Sequence, residues 1–469
     1  MIKLMPAMLI LAAVVAAPAQ AQESFDILTS TYIGGAGEDD AVRGSAIQSD
    51  GTVVIAANVG AGFRVADFRA TGPVGVILRL SPDGREVLSA RAVGRIVGDL
   101  ALDGKDNIVV AAGTDGVVKL DPRAREVLWH RELSTRCHRV DVGADGTVAV
   151  LAEDKDIGKA EGKDARVGVL SADGRPLGDW KGHRQTFDVC VDSASGTVIT
   201  IGWRQANCFD GTRVYPVQIA YMRGRDYSGN VRWTNYDWST DRDADDFLNK
   251  PTNNMADTRG YRCSIGADGK LYAAFEAAGG NHIFRYDPHE VTRQVGVVGG
   301  DKYHEFYNTR SEHKTVFGRY NPRTGDVELV QQFCGRLGSG RGNAVRVKNG
   351  EITADAAGRV YLTGSSAYGL PLSYNPPGTG DYTGGAFVLV MSPDLKQRLL
   401  CTRPLGGKGQ MLTVSPGTVE GKTRLVIGGS GMEVIRTENG ETLQMRTVEP
   451  LQEEPAGAKD GFMAVMELK

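Results

Sequence analysis

One pattern recurs along this chain and restricts what it can become: a short apolar strand, a turn built on glycine, then a β-branched strand. It is written as Ala46-Ile47-Gln48-Ser49-Asp50-Gly51-Thr52-Val53-Val54-Ile55 and as Val140-Asp141-Val142-Gly143-Ala144-Asp145-Gly146-Thr147-Val148-Ala149-Val150. Further copies occupy residues 100–110, 189–201, 263–273, 352–363 and 412–427. Asp-Gly between apolar runs marks a tight hairpin, because such turns need positive φ and glycine adopts it without a steric penalty. A lone hairpin cannot bury both faces, so units of this kind must pack against one another.

Each hairpin is followed by a second. Residues 76–80 lead through Ser81-Pro82-Asp83-Gly84 to Val87-Leu88, and residues 117–120 lead to Val127-Leu128-Trp129. Residues 167–170 with Asp173-Gly174, and 386–391 with Pro393-Asp394, repeat the form. The unit is therefore four antiparallel strands. Its turn glycines fall at Gly51, Gly104, Gly146, Gly196, Gly269, Gly358 and Gly421. The expected fold is all-β: a seven-bladed β-propeller of four-stranded antiparallel blades. Residues 462–468 read as a third strand and residues 25–33 as a fourth, so the N-terminal strand is expected to close the last blade. The other pairing would use residues 432–435 and 442–446 as the outer hairpin of that blade.

Lys3, an apolar run too short to span a bilayer and Ala19-Gln20-Ala21 form a secretory signal pattern. The expectation is a signal peptide over 1–21 and one propeller domain over 22–469, with insertions at about 279–313, 366–384 and 430–460. Losing a leader that holds one lysine and no acid takes the formal net charge from −3 to −4. A mild charge of mixed sign argues against a nucleic-acid partner, which needs a basic face. No later apolar run is long enough for a transmembrane segment. The chain therefore reads as an exported, periplasmic or extracellular monomer.

Tyr32-Ile33-Gly34-Gly35-Ala36-Gly37-Glu38-Asp39-Asp40, followed by Ala46-Ile47 and Asp50-Gly51, resembles the bacterial SBBP β-propeller repeat. Gly385-Ala386-Phe387-Val388 with Ser392-Pro393-Asp394, and Asp460-Gly461-Phe462-Met463-Ala464-Val465, are similar to it. Gly116-Val117-Val118-Lys119-Leu120-Asp121 with Glu126-Val127-Leu128-Trp129 is closer to a quinoprotein-type repeat. The resemblance implies a fold and an exported location. It does not imply a reaction.

Three groups carry the residue types that chemistry uses. The first is the insertion near 279–313, where His282, His289, His304 and His313 stand among Asp287, Glu290, Asp301, Glu305 and Glu312. Tyr286, Tyr303 and Tyr307 add aromatic surface there. Imidazole with carboxylate suits zinc or general acid–base work, although no ligand spacing is diagnostic. The second is Asp241, Asp243 and Asp245, whose alternation could turn oxygens toward Ca²⁺, but Asp246 and Thr252 break the calcium-loop pattern. The third is aromatic: Trp203, Tyr215, Tyr221, Tyr227, Trp233, Tyr236 and Trp238, with Tyr368, Tyr374 and Tyr382 in the next insertion. Such residues serve sugar or peptide platforms, and equally serve packing.

Six cysteines include no Cys-x-x-Cys pair. Cys190 and Cys263 hold the same place in their hairpins, as buried apolar residues would. Cys137 and Cys208 are expected in connections on one face, and form the candidate disulfide. Nucleophile-elbow, phosphate-loop and dinucleotide motifs are missing. The functional expectation is a binding scaffold for a protein or carbohydrate partner, with no cofactor assigned and Ca or Zn as the metals to test. The alternative is a propeller enzyme, a polysaccharide lyase or hydrolase or a quinoprotein-like dehydrogenase, using the His/Glu-rich insertion of the fifth blade.

Overall fold

The computed structural model describes residues 24–469 except 38–39, 134, 154–164, 184, 210–213, 239–255, 279–280, 282, 291–292, 296–312, 375–383, 407, 434, 437–441 and 458. The described residues contain no α-helix, only a 3₁₀ turn at Ile283–Arg285. The chain is laid out as antiparallel meanders. The first runs Ala41–Ile47, Val53–Val59, Val74–Leu80 and Val87–Gly94. Four-stranded sheets follow, starting at Asp99–Leu102, Arg136–Val142, Gln185–Asp192 and Thr258–Ile265. The next sheet pairs Ile352–Ala354 and Val345–Arg346 with Val360–Ser366, then adds Gly385–Met391 and Arg398–Thr402.

The last meander is Lys408–Val419, Lys422–Glu433, Asp460–Leu468, and then Phe25–Ile33 from the start of the described chain. Phe25 faces Leu468 and Ile33 faces Gly461 in this register. One bridge, Ala41 to Ser430, joins the first and last meanders into an eight-stranded sheet. The hairpin Ile435–Arg436 with Thr442–Leu443 stands apart as its own two-stranded sheet. The outer place beside the terminal strand is thus taken by residues 25–33.

The turns explain why the hairpins form where they do. In the first sheet Gly51 N donates to Gln48 O at 2.9 Å, Gln48 N donates to Thr52 O at 2.8 Å, and Gly51 has φ 86°. Gly146, Gly269 and Gly358 repeat the positive φ at the same place. The second sheet differs from the sequence expectation. Its left-handed residue is Asp106 (φ 62°), not Gly104, which stands two positions early in the turn. Asp103 N donates to Asn107 O at 3.0 Å there, and the Asp103 carboxylate accepts from Lys105 N and Asn107 N, holding the turn without glycine. The last hairpin is shorter: Glu420 and Gly421 both have positive φ (52° and 78°), as a two-residue mirror-image turn requires.

Burial follows strand order. Second strands such as Val53–Ala57 and Ile108–Ala112 are buried on both faces, whereas fourth strands expose Leu88, Val127, Leu128, Leu177 and Val231. Seven apolar clusters of described residues fill the gaps, each drawn mainly from two neighbouring sheets. Ile33, Val42, Val53, Val426 and Val465 join the last to the first, and Phe25, Val388, Leu425 and Phe462 join the sixth to the last. Val54, Ile77, Val110 and Leu120 belong to the first and second. Cys190, Ile199, Cys263 and Phe275 belong to the fourth and fifth. Between sheets the driving force is therefore ordinary apolar burial.

Gly146 is tight as well as left-handed, since a Cβ there would lie 2.8 Å from the Ala172 methyl. Gly146→Ala is expected to destabilise the protein by about 1–2 kcal/mol. Ala66, exposed and at φ 46°, carries the opposite mismatch, so Ala66→Gly should hold or raise stability. Denaturant unfolding of the two variants checks both signs.

Candidate functional site

The first strands of successive sheets contact one another in cyclic order, and the Lys408–Val419 strand contacts Ala41–Ile47. Equivalent positions on these strands are Gly44, Asp99, Arg139, Asp188, Arg262, Glu351 and Thr413. Five of them alternate in sign. Arg139 Nη1 lies 3.6 Å from Asp99 Oδ2 and Arg139 Nε lies 3.8 Å from Asp188 Oδ1. Arg262 Nη1 lies 3.9 Å from Asp188 Oδ2.

The carboxylates do a second task. Asp99 Oδ2 accepts from Val140 N at 3.3 Å, Asp188 Oδ2 from Cys263 N at 3.1 Å, and Glu351 Oε2 from Val414 N at 2.8 Å. Each thereby reaches the backbone one residue past the equivalent position on the next sheet. Asp141 adds a link of the same kind, accepting from Val191 N at 2.8 Å. Between the last and first sheets, hydroxyls take over: Ser45 Oγ lies 2.7 Å from Thr413 Oγ1 and 2.9 Å from Ser415 Oγ. Arg262 is only 5% exposed, and donates through Nε to Gly350 O at 2.5 Å and through Nη2 to Lys348 O.

Directly beside this charged ring the strands bulge. Register shifts fall at Val42/Gly44, Cys137/Arg139, Thr186/Asp188, Gly260/Arg262 and Met411/Thr413. The skipped residues are Arg43, His138, Phe187, Tyr261 and Leu412. A bulge frees a side chain from the pleat and re-aims it. Four of these five, all but Tyr261, line one cavity of 340 Å³. Arg136, Arg139, Arg262 and Lys348 complete its cationic wall, with Asn58 and Asn349 as neutral polar groups and no carboxylate in the lining.

The electrostatics follow from that arrangement. Burial, then the Arg136, Arg139 and Arg43 cations, hold the His138 imidazole down at about 4. Burial raises the Asp99 carboxyl to about 7, with Arg139 opposing and Glu351 and Asp188 adding to the rise. Burial likewise raises Asp141 to about 6. Burial and neighbouring Arg139 bring Arg262 down to about 10. Arg139 is pulled down by burial, but Asp188, Asp99 and Glu351 more than offset this and leave it raised.

The residues singled out from the sequence lie elsewhere. The insertion connects Leu271–Ala278 to His313–Tyr320, and its described part packs against the fourth and fifth sheets. Phe284 meets Phe275 and Tyr236 with ring centroids 4.7 and 4.8 Å apart. Tyr286 is buried and bridges to Gln294. Asp287 Oδ1 accepts from His289 N and Glu290 N, and His289 Nε2 lies 3.4 Å from Asp326 Oδ1. His313 Nδ1 instead lies 3.0 Å from Glu276 Oε2. His289 and His313 thus serve separate contacts. His282, His304, Glu305, Tyr382, Asp241, Asp243 and Asp245 lie outside the described residues. Tyr374 packs edge-on against Phe25 at 5.0 Å. Tyr221, Trp233, Tyr236 and Trp238 are buried.

Cys137 and Cys208 sit within strands, opposite Ala152 and Tyr215, rather than in connections. Cys137 carries a free, buried thiol, with Sγ directed at Arg139 O. No group of three or more His, Cys, Asp or Glu among the described residues is arranged to hold a metal ion. No described helix is long and apolar enough to cross a membrane.

Sequence reading passed over the charged ring. The signal was present: Asp99, Arg139, Arg262 and Glu351 each stand seven residues before a left-handed turn residue, at Asp106, Gly146, Gly269 and Gly358. A repeated charge in an otherwise apolar strand marks a shared level of the structure.

No family model matches the chain, and no curated protein matches it in sequence. Among solved structures it is similar to the WD40 β-propeller domain of Doa1, at 10% identity over 95% of this chain and 97% of that one, with a TM-score of 0.44. It is similar to BamB from Moraxella catarrhalis, at 12% identity over 95% and 100% of the two chains, with a TM-score of 0.40. It is also similar to the quinohemoprotein alcohol dehydrogenase from Comamonas testosteroni, at 10% identity over 95% and 76%, with a TM-score of 0.39. The repeated four-stranded antiparallel sheets of this chain are themselves of the β-propeller type.

Two outcomes are expected of the charged ring. Asp188→Ala removes the carboxylate that Arg139 and Arg262 share and the acceptor of the Cys263 amide, and should cost about 3 kcal/mol in denaturant unfolding. Asp99 binds its proton more tightly folded than unfolded. Its contribution to stability is therefore full below about pH 4 and is lost as the pH rises through about 7. Relative to the parent, Asp99→Asn should gain stability between about pH 4 and pH 7 and level off above that, as read by melting temperature from pH 4 to pH 8.

Proposed function

We propose that the protein is an exported seven-bladed β-propeller that works as a binding module, with its ligand seated at the mouth of the central channel. Seven first strands in cyclic contact and seven inter-sheet apolar clusters support the blade count. The pairing of Phe25–Ile33 with Asp460–Leu468 supports closure of the last blade by the N-terminal strand. Export rests on the signal pattern in residues 1–21, and membership of the SBBP family rests on the repeat residues at the two ends of the chain.

The observation that carries the binding reading is the cavity. Four bulges on four different strands turn Arg43, His138, Phe187 and Leu412 into one space of 340 Å³. A wheel held together only for its own sake has no need for repeated bulges converging on a polar hollow. The size falls in the range that encloses a small ligand, and the lining offers charge, hydrogen-bond donors and one aromatic face.

Native mass spectrometry of protein purified from its own host tests the reading. A retained mass that disappears in Asn349→Trp, which fills the mouth, is expected. Retention that survives this change, with the fold intact by circular dichroism, would place the ligand elsewhere and overturn the proposal.

A further inference from the structure

Building on the channel-mouth reading, we infer that the ligand is a small polyanion carrying two or more oxyanion groups, phosphate or carboxylate, held between Arg43, Arg136 and Lys348. The cations come from three sides of the mouth: Arg43 from the first sheet, Arg136 from the third, and Lys348 from the link between Val345–Arg346 and Ile352–Ala354 of the sixth. A ligand charged at two or more places answers their spread.

The division of labour among the positive groups supports this. Arg139 and Arg262 line the cavity, but their charges are already engaged by Asp99 and Asp188. Arg262 also spends its donors on Gly350 O and Lys348 O. Arg136 is different. Its Nε is buried and makes no hydrogen bond, although a buried donor left without a partner is costly. Lys348 is exposed at the rim, with Nζ 5.8 Å from the Phe187 ring centroid. Excess positive charge in a concave site focuses the field toward an incoming anion. A guanidinium fork matches the geometry of carboxylate and phosphate oxygens.

His138 supplies an internal reporter. It faces the same cavity, and the Arg136, Arg139 and Arg43 charges help keep it neutral. An anion seated among them would screen those charges and let the imidazole take its proton at higher pH. A ligand bound on the outer surface would leave it alone.

Calorimetric titration with pyrophosphate and with citrate, in low and high salt, tests the inference, with spermidine and a neutral disaccharide as controls. One or both anions should bind with a stoichiometry of one. Affinity should fall about tenfold or more in Arg136→Gln and in Lys348→Gln, and should weaken in high salt. The two anions separate phosphate from carboxylate recognition. In parallel, the His138 ring resonance, assigned by its loss in His138→Gln, should titrate at higher pH when the anion is present. Lys348 is solvent-facing, so Lys348→Gln keeps the test readable should Arg136→Gln fold poorly.

Binding of neither anion, or binding unchanged by both substitutions with His138 unmoved, overturns the polyanion assignment. If a retained native mass is still lost in Asn349→Trp, the channel-mouth reading survives that failure. If no such loss occurs, both readings fall together.

Discussion

The structure depends on side-chain carboxylates that leave their own sheet to bind the backbone of the next. Asp99, Asp188 and Glu351 each accept a main-chain N–H from the following first strand, while Arg139 and Arg262 sit between them. Apolar burial draws neighbouring sheets together but is indifferent to how far one slides along the other. Hydrogen bonds to a carboxyl oxygen are directional. They fix the relative height of adjacent sheets, and the bulges can then meet at one level.

The same ring explains the electrostatic character of the cavity. Basic groups and no carboxylate line it, while Asp99 and Asp188 lie against Arg139 and Arg262 outside the lining, so the hollow itself is positive. Such a buried network is justified by what it specifies more than by net stability, since well-packed apolar residues often do as well energetically. Here it ties neighbouring sheets together beside a polar hollow.

Much of the fold was legible in the chain because it repeats. The hairpins announced themselves through Asp50-Gly51 and Asp145-Gly146, and the terminal pairing through a strand at each end that lacked a partner nearby. Gly104 misled, because a carboxylate-braced turn can place aspartate in the left-handed position, as Asp106 shows. The site was harder to find. Histidine and aromatic richness drew attention to residues such as His289, Tyr374 and Trp233, which the structure uses for packing and local contacts. Arg43, Arg136, His138 and Lys348 are unremarkable in sequence, and only bulges and sheet order bring them together. The spacing of charge ahead of each turn was the readable clue, and it requires the repeats to be aligned against one another first.

The pairing of Phe25–Ile33 with Asp460–Leu468 has a temporal meaning. The earliest described strand finds its hydrogen-bonding neighbour in the latest, so every intermediate of synthesis carries an unsatisfied, β-prone segment with Tyr32 and Ile33 uncovered. Until the final nine-residue strand arrives, that segment is open to rival edges, including those of other copies. Whatever shields a nascent chain of this design must therefore stay bound until Asp460–Leu468 is made, and let go only when the two strands can pair.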